Sequence, residues 1–341
     1  MSKRVITFGE IMLRLAPNGY YRFFQNDQVQ ATFGGGEANV AVSLANYGLD
    51  SAYVTKLPSH AIGQAAVDSL RYFGVDTSMI VRGGDRVGIY YLEKGASQRG
   101  SVCIYDRAHS AIQEAQPSDF DWEVIFDGAD WFHFTGITPA LGPSLTAICE
   151  DACKVAKAKG VKVSCDLNYR GKLWTREEAR AAMTELCQYV DVCISNEEDA
   201  KDIFGIEAAD TDIRGGKLNT KGYQSVAKQL ADRFGFEKVA ITLRTSLSAS
   251  DNDWAGMLYD GNSCYFSRTH HLRIVDRVGG GDSFGGGLIY ALLSGKSEQE
   301  SIAFAVAASA LKHSIEGDFN RVTVTEVEKL CAGDGSGRVQ R

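Results

Sequence analysis

The chain has 341 residues, 44% of them hydrophobic and 23% charged, so a sizeable core can form and a disordered or collagen-like chain is excluded. Lys and Arg number 36 against 43 Asp and Glu, and the net charge of −7 gives no reason to expect a nucleic acid or an anionic membrane as partner. The eight cysteines form no CxxC pair and no Cys/His cluster, which points to reduced thiols in a cytoplasmic protein. The N-terminus does not read as a signal peptide, and no stretch approaches the ~20 apolar residues of a membrane-spanning helix.

In chain order, Val5–Phe8 reads as a strand, followed by candidate strands at Met12–Leu15 and Gln28–Phe33. A helix over Ala38–Tyr47 ends at Gly48, Ala52–Leu57 reads as a strand, and Ala61–Phe73 is an amphipathic helix closed by Gly74. Val87–Glu93 and Ser101–Asp106, joined by the polar Lys94–Gly100, read as an antiparallel hairpin. Strands at Trp131–Phe134, Val161–Cys165, Val190–Ile194 and Val239–Leu243 then alternate with helices at Ser144–Lys159, Arg176–Gln188 and Lys221–Phe234. Tyr259–Arg268 reads as a second hairpin, and Ser297-Glu298-Gln299-Glu300 is a capping box opening a helix through Leu311.

This alternation predicts an α/β fold, a doubly wound and mostly parallel sheet with helices on both faces. The helix-free strands do not belong in such a sheet and predict a small β-sheet lid over a site. The expected division is a catalytic domain from residues 1–11, 34–86 and 108–332, a discontinuous lid from 12–33 and 87–107, and a flexible tail from 333–341.

The most informative segment is Asp276-Arg277-Val278-Gly279-Gly280-Gly281-Asp282-Ser283-Phe284, which leads into a helix. Glycines there let the backbone approach a ligand, and a helix N-terminus favours a phosphate or a developing oxyanion. Asp282 in the first turn has two uses. It can cap the helix, with its pKa lowered by the dipole, or it can take a proton from an attacking hydroxyl while charge moves onto a transferred group. The segment is neither a Walker loop nor a dinucleotide fingerprint.

Asp276–Phe284 resembles the C-terminal D-T-x-G-A-G-D-x-F signature of the ribokinase-like (pfkB-type) carbohydrate kinases, and Gly34-Gly35-Gly36-Glu37-Ala38-Asn39 resembles their N-terminal G-G-A-x-x-N. The resemblance covers the chain to about residue 330, with Arg277 in place of Thr, and Gly36 and Gly280 in place of Ala. It implies Asp282 as the base and the amides of Gly279, Gly280 and Gly281 as the anion hole. It also implies ATP and Mg2+, leaves room for a monovalent cation, and puts Gly35, Gly36 and Asn39 beside the sugar. Asn168, Asn196, Thr242, Arg244, Gly279 and Gly281 fall on the nucleotide side. Asn196-Glu197-Glu198-Asp199 stands for the N-x-x-E element with Asp at its last position, and Ala240–Ser246 lacks the family's usual glycines. No direct protein ligand to the metal is implied.

Tyr90, Tyr105 and Arg107 fall on the predicted hairpin, and Arg170 follows a strand in Asp166-Leu167-Asn168-Tyr169-Arg170. Two guanidinium forks suit a carboxylate. With Asp318 in Gly317-Asp318-Phe319, these residues are similar to the subgroup that phosphorylates the terminal hydroxyl of 2-keto-3-deoxygluconate. A neutral-sugar kinase (fructose, ribose), another gluconate derivative, or a non-catalytic sugar-binding regulator are the alternatives. An exposed lid edge suggests a homo-oligomer, a dimer or higher. His133 reads as a core histidine, His270 and His271 as loop residues, and Cys149 with Cys153 as packing.

Overall fold

The computed structural model describes residues 2–196, 198–207, 220–335 and 337. Among these, nine strands make the central sheet. From edge to edge they run Cys264–Phe266, Asp251–Tyr259, Lys238–Ser246, Val192–Ser195, Lys162–Asp166, Trp131–Thr135, Arg4–Phe8 and Asp50–Val54, and His270–Arg273 also pairs with Asp251–Tyr259. The strands from Lys238–Ser246 to Asp50–Val54 are mutually parallel, whereas Asp251–Tyr259 is antiparallel to its partners.

Side-chain alternation along the strands explains why both faces are covered. Ile6 and Phe8 pack with Leu145, Ile148 and Cys149 of helix Pro143–Ala158 and with Met183 of Arg176–Leu186. Val5 faces the opposite side, with Val40 and Leu44 of helix Gly36–Asn46 and Leu288 of Gly280–Leu293. Trp131–Thr135, in the middle, is buried throughout. Gly286 and Gly287 serve packing rather than ligand binding. A Cβ on Gly286 would lie 2.8 Å from Ser43 Cβ, and one on Gly287 would lie 3.1 Å from Ala305 Cα. Their helix therefore lies close between Gly36–Asn46 and Glu298–Lys312.

A separate four-stranded sheet has the order Val29–Gly34, Met12–Pro17, Ile89–Glu93, Val102–Asp106. Its middle pair is parallel and both outer pairs are antiparallel. Met12, Ala16, Tyr90 and Leu92 make a small apolar cluster that packs on Val278, so this sheet lies against the glycine-rich turn.

The sequence expectation differs in three places. The predicted strand Ala52–Leu57 breaks at Thr55; Lys56–Leu57 pairs instead with Val81–Arg82 in a two-stranded sheet. The second hairpin turns at residues 260–263, and its first strand begins as early as Asp251. His270 and His271 lie in a strand, not a loop. Polar sequence such as Asp251-Asn252-Asp253 carries no apolar alternation, and cross-strand pairing supplies the order there. Residues 336 and 338–341 of the tail lie outside the described residues, while Gly333 N donates to Leu330 O at 3.0 Å at the end of helix Val324–Cys331. No helix among the described residues is long and apolar enough to cross a membrane, and all eight cysteines are free thiols.

Candidate active site

The carboxyl ends of the parallel strands open on a cavity of about 550 Å3. Gly279, at φ 79°, turns the chain into helix Gly280–Leu293. No other residue type suits it: the conformation is left-handed, and a Cβ would lie 2.1 Å from Asp318 O. Gly280 N closes the turn on Arg277 O at 3.3 Å, and Gly281 has nothing within 4 Å of its Cβ position, so its backbone is open to a guest. The next amides, of Gly281 and Asp282, lie too early in the helix to have an intrahelical acceptor, and a helix N-terminus favours an anion.

Asp282 does not cap this helix with its side chain. Its Oδ2 accepts from Asn39 Nδ2 at 2.6 Å instead. The dipole does not set its pKa either. Burial pushes the carboxyl up to about 6, against the Asn39 hydrogen bond, Arg170 and Lys312, all of which pull it down. A half-buried acid near 6 is ionised at neutral pH yet basic enough to take a proton.

All the residues expected at the site line this one cavity. Asn39 does not open its helix; it is the fourth residue, and Gly35 N donates to its Oδ1 at 3.3 Å. A Cβ on Gly35 would lie 2.0 Å from Glu10 O, whereas one on Gly36 would make ordinary contacts, 3.5 Å from Thr135 Cγ2 and 3.6 Å from Asp282 Oδ1. Arg107 donates through Nε to Glu10 Oε2 at 2.8 Å and through Nη2 to the same oxygen, and it lies over the Tyr105 ring. Ser110 Oγ donates to the other Glu10 oxygen at 2.8 Å. Arg170 is exposed to the cavity, its Nη1 donating to Tyr169 O at 3.0 Å. The two arginines thus differ: one is held by an acid, the other is bonded to a neighbouring carbonyl. Asp318 is buried, its carboxylate taken by the Tyr90 hydroxyl at 2.6 Å and by Arg14 Nη1 at 2.8 Å.

Towards the other end, Asn168 adopts a left-handed φ of 39° in a buried turn, a conformation Asn tolerates better than most residues. Asp199 holds this turn: its carboxylate accepts from Tyr169 N at 3.0 Å and Asn196 N at 3.2 Å. Asn196 Oδ1 in turn accepts from Glu198 N at 2.7 Å and Asp199 N at 3.0 Å. Asp166 and Asp199 are both raised above ordinary carboxylates, first by burial. Thr242 and Arg244 line the wall from strand Lys238–Ser246, and Arg277 reaches it from the glycine segment, donating to Ala249 O at 3.1 Å. Among the described residues, no group of three His, Cys, Asp or Glu is placed to hold a metal ion.

Sequence reasoning missed several cavity residues. Glu10 lies two residues past the end of the first parallel strand, and that position was the available signal. Glu37, buried inside the N-terminal glycine motif, accepts from the hydroxyls of Thr135 and Thr138 at 2.7 Å each, and burial pushes it up to about 7. Nothing local marks Arg14, Asp276 and Lys312, which do not line the cavity, as neighbours behind the glycine turn. His133 is a buried core residue held by Ser164 at 2.8 Å, its pKa lowered to about 3 by burial. His271 pairs with Asp253 at 2.5 Å outside this cavity, and Cys149 and Cys153 are packed in the core.

A half-buried acid and a glycine-rich helix N-terminus thus share one cleft at the carboxyl ends of the parallel strands. The chain belongs to the pfkB family of carbohydrate kinases, which it matches over residues 2–320. It is 53% identical to a solved 2-dehydro-3-deoxygluconokinase from Thermotoga maritima, with a TM-score of 0.94 over 98% of this chain and 99% of that one. The 2-dehydro-3-deoxygalactonokinase of Haloferax volcanii is 31% identical over 337 residues, covering 99% of each chain. The 2-dehydro-3-deoxygluconokinase of Thermoproteus tenax is 28% identical over 323 residues, 92% of this chain and 89% of that one.

Proposed function

We propose that this carbohydrate kinase transfers the γ-phosphoryl group of ATP to the terminal hydroxyl of a 2-keto-3-deoxy sugar acid, with 2-keto-3-deoxygluconate as the preferred substrate. The observation that carries the reading is Asp282: an acid near pKa 6, anchored by Asn39, next to an anion-binding glycine turn. The substrate oxygen gives its proton to the Asp282 carboxylate as the new O–P bond forms and the bond between the γ-phosphorus and the bridging oxygen breaks, releasing ADP. The amides of Gly279–Gly281 hold phosphoryl oxygens while charge shifts. Positioning and charge neutralisation dominate such a reaction.

Arg170 is the proposed carboxylate ligand, with Arg107, Tyr90 and Tyr105 shaping the sugar end and Gly35, Gly36 and Asn39 leaving space for the chain. Asn168, Asn196, Thr242 and Arg244 line the nucleotide side. Asp166 and Asp199 are hard oxygen donors suited to holding Mg2+ through water, and the ion neutralises nucleotide phosphate charge when bound. The small sheet is read as a lid that excludes water. Its outer strands expose Val29, Val102 and Ile104, a surface through which two copies would pair. Free thiols throughout suit a cytoplasmic enzyme.

One observation favours a second reading. Glu10 already neutralises Arg107, which leaves that end of the cavity fit for the hydroxyls of a neutral sugar. A coupled ADP-release panel decides between the two. The first reading expects 2-keto-3-deoxygluconate and its galactonate epimer to exceed fructose and ribose by roughly 100-fold in kcat/KM. Equal rates with fructose would favour the second.

A further inference from the structure

Behind the glycine turn lies a group of buried charges that proton transfer does not use. Arg14, on a lid strand, donates to Asp276 Oδ2 at 2.5 Å and Asp318 Oδ1 at 2.8 Å, and all three side chains are almost fully enclosed. Asp276 also accepts from Val278 N at 3.1 Å and Gly317 N at 3.2 Å, so it braces the two backbone segments that flank the turn. Two carboxylates share a single guanidinium. Left so, one negative charge would stand directly behind a site meant for phosphoryl oxygens, in a low-dielectric interior where it is poorly screened.

Lys312 supplies the missing charge. It ends helix Glu298–Lys312, has no exposed surface, and donates from Nζ to Ile315 O at 3.1 Å. A Cβ on Gly279 would lie 3.3 Å from Lys312 Cε, so the lysine stem runs under the turn itself. A buried ammonium is costly to desolvate and persists where acids compensate it. We infer that Lys312 is a built-in counter-ion: its ammonium cancels the uncompensated carboxylate charge behind Gly279–Gly281, so that the turn holds phosphoryl oxygens and Asp282 stays ionised. The lysine is a positioning residue, touching neither substrate nor base. Burial is the largest influence on the lysine and draws its pKa below the ordinary value; Asp276, Asp318 and Asp282 favour its charge, and Arg14 opposes it. The adjacent His313 is neutral, its pKa lowered to about 4 by burial.

The inference rests on Asp282 being the base, and the test separates the two claims. In Lys312→Met the acidic limb of kcat/KM against pH should move up by about one unit, so that the loss of rate is roughly fivefold greater at pH 6 than at pH 8. Lys312→Arg, which keeps the charge, should leave the limb where it is. Lys312→Ala opens space beside the Ile315 carbonyl, and ammonium or methylammonium chloride should restore part of its rate while leaving wild type unchanged. A second readout needs no catalysis: the step in pH-dependent thermal unfolding that Asp282→Asn abolishes should move up in Lys312→Met. An unmoved limb and an unmoved unfolding step in folded Lys312→Met, with no amine rescue in Lys312→Ala, overturn the counter-ion and leave the base intact. Full turnover in Asp282→Asn instead overturns the base.

Discussion

Replacing Asp282 by Asn separates two properties that one carboxyl combines. The amide keeps the size of the side chain and still accepts from Asn39 Nδ2, so the 2.6 Å contact survives without the charge. The native pKa of about 6 stands above the ordinary value of 3.8, so the folded state favours the protonated form. That preference adds stability below about pH 3.8 and is lost as pH rises through about 6. At pH 7.5 the ionised carboxylate costs at most about 3 kcal/mol at 1.36 kcal/mol per unit, and access to the cavity trims this to about 1–3 kcal/mol. The variant should therefore be more stable than wild type at pH 7.5 by that amount in urea denaturation, and converge with it towards pH 4. Over the same comparison, turnover should fall by about 10²–10⁴-fold with little change in KM. No gain in stability at pH 7.5, or turnover within about fivefold of wild type, would refute the reasoning.

Other outcomes follow from the same geometry. The wild-type kcat/KM should decline below about pH 6, as the base takes up its proton, and a profile flat down to pH 5 would contradict this. Gly35→Ala should abolish activity or folding, because its Cβ would lie 2.0 Å from Glu10 O, while Gly36→Ala should retain most of the rate. Measured kcat and circular dichroism of the pair check this. Arg170→Ala should raise KM for the sugar acid by roughly 10–100-fold with a smaller effect on neutral sugars, whereas Arg107→Ala leaves Glu10 without its ionic partner, with the Ser110 hydroxyl still donating to it, and should lower stability as well. Equal losses for acidic and neutral sugars in Arg170→Ala would remove it as the carboxylate ligand.

Much of the fold is legible in the sequence because its signals are local. Apolar runs such as Trp131–Thr135 mark strands buried on both faces, and Gly48 and Gly74 mark where helices stop. The glycine-rich turn and Asp282 are legible because backbone approach and a first-turn acid are written contiguously. Pairing between distant charges is not. Whether Arg107 faces a ligand or an acid depends on Glu10, 97 residues away, and Asp318 is bonded by Arg14 across 304 residues. The direction of the Asp282 shift was also hidden, since the helix dipole is a sequence-level feature whereas the burial that outweighs it is a property of the assembled cleft. The polar stretch Asp251–Asp253 and the strand His270–Arg273 owe their order to partners rather than to their own composition.

The most direct measurement is 31P and 13C NMR of the product formed from 2-keto-3-deoxygluconate, ATP and Mg2+. A single phosphomonoester on the terminal carbon, formed by wild type and absent with Asp282→Asn, is the predicted result. Phosphate on another carbon, release of inorganic phosphate without an ester, or the same ester from the Asn variant at an undiminished rate would contradict it.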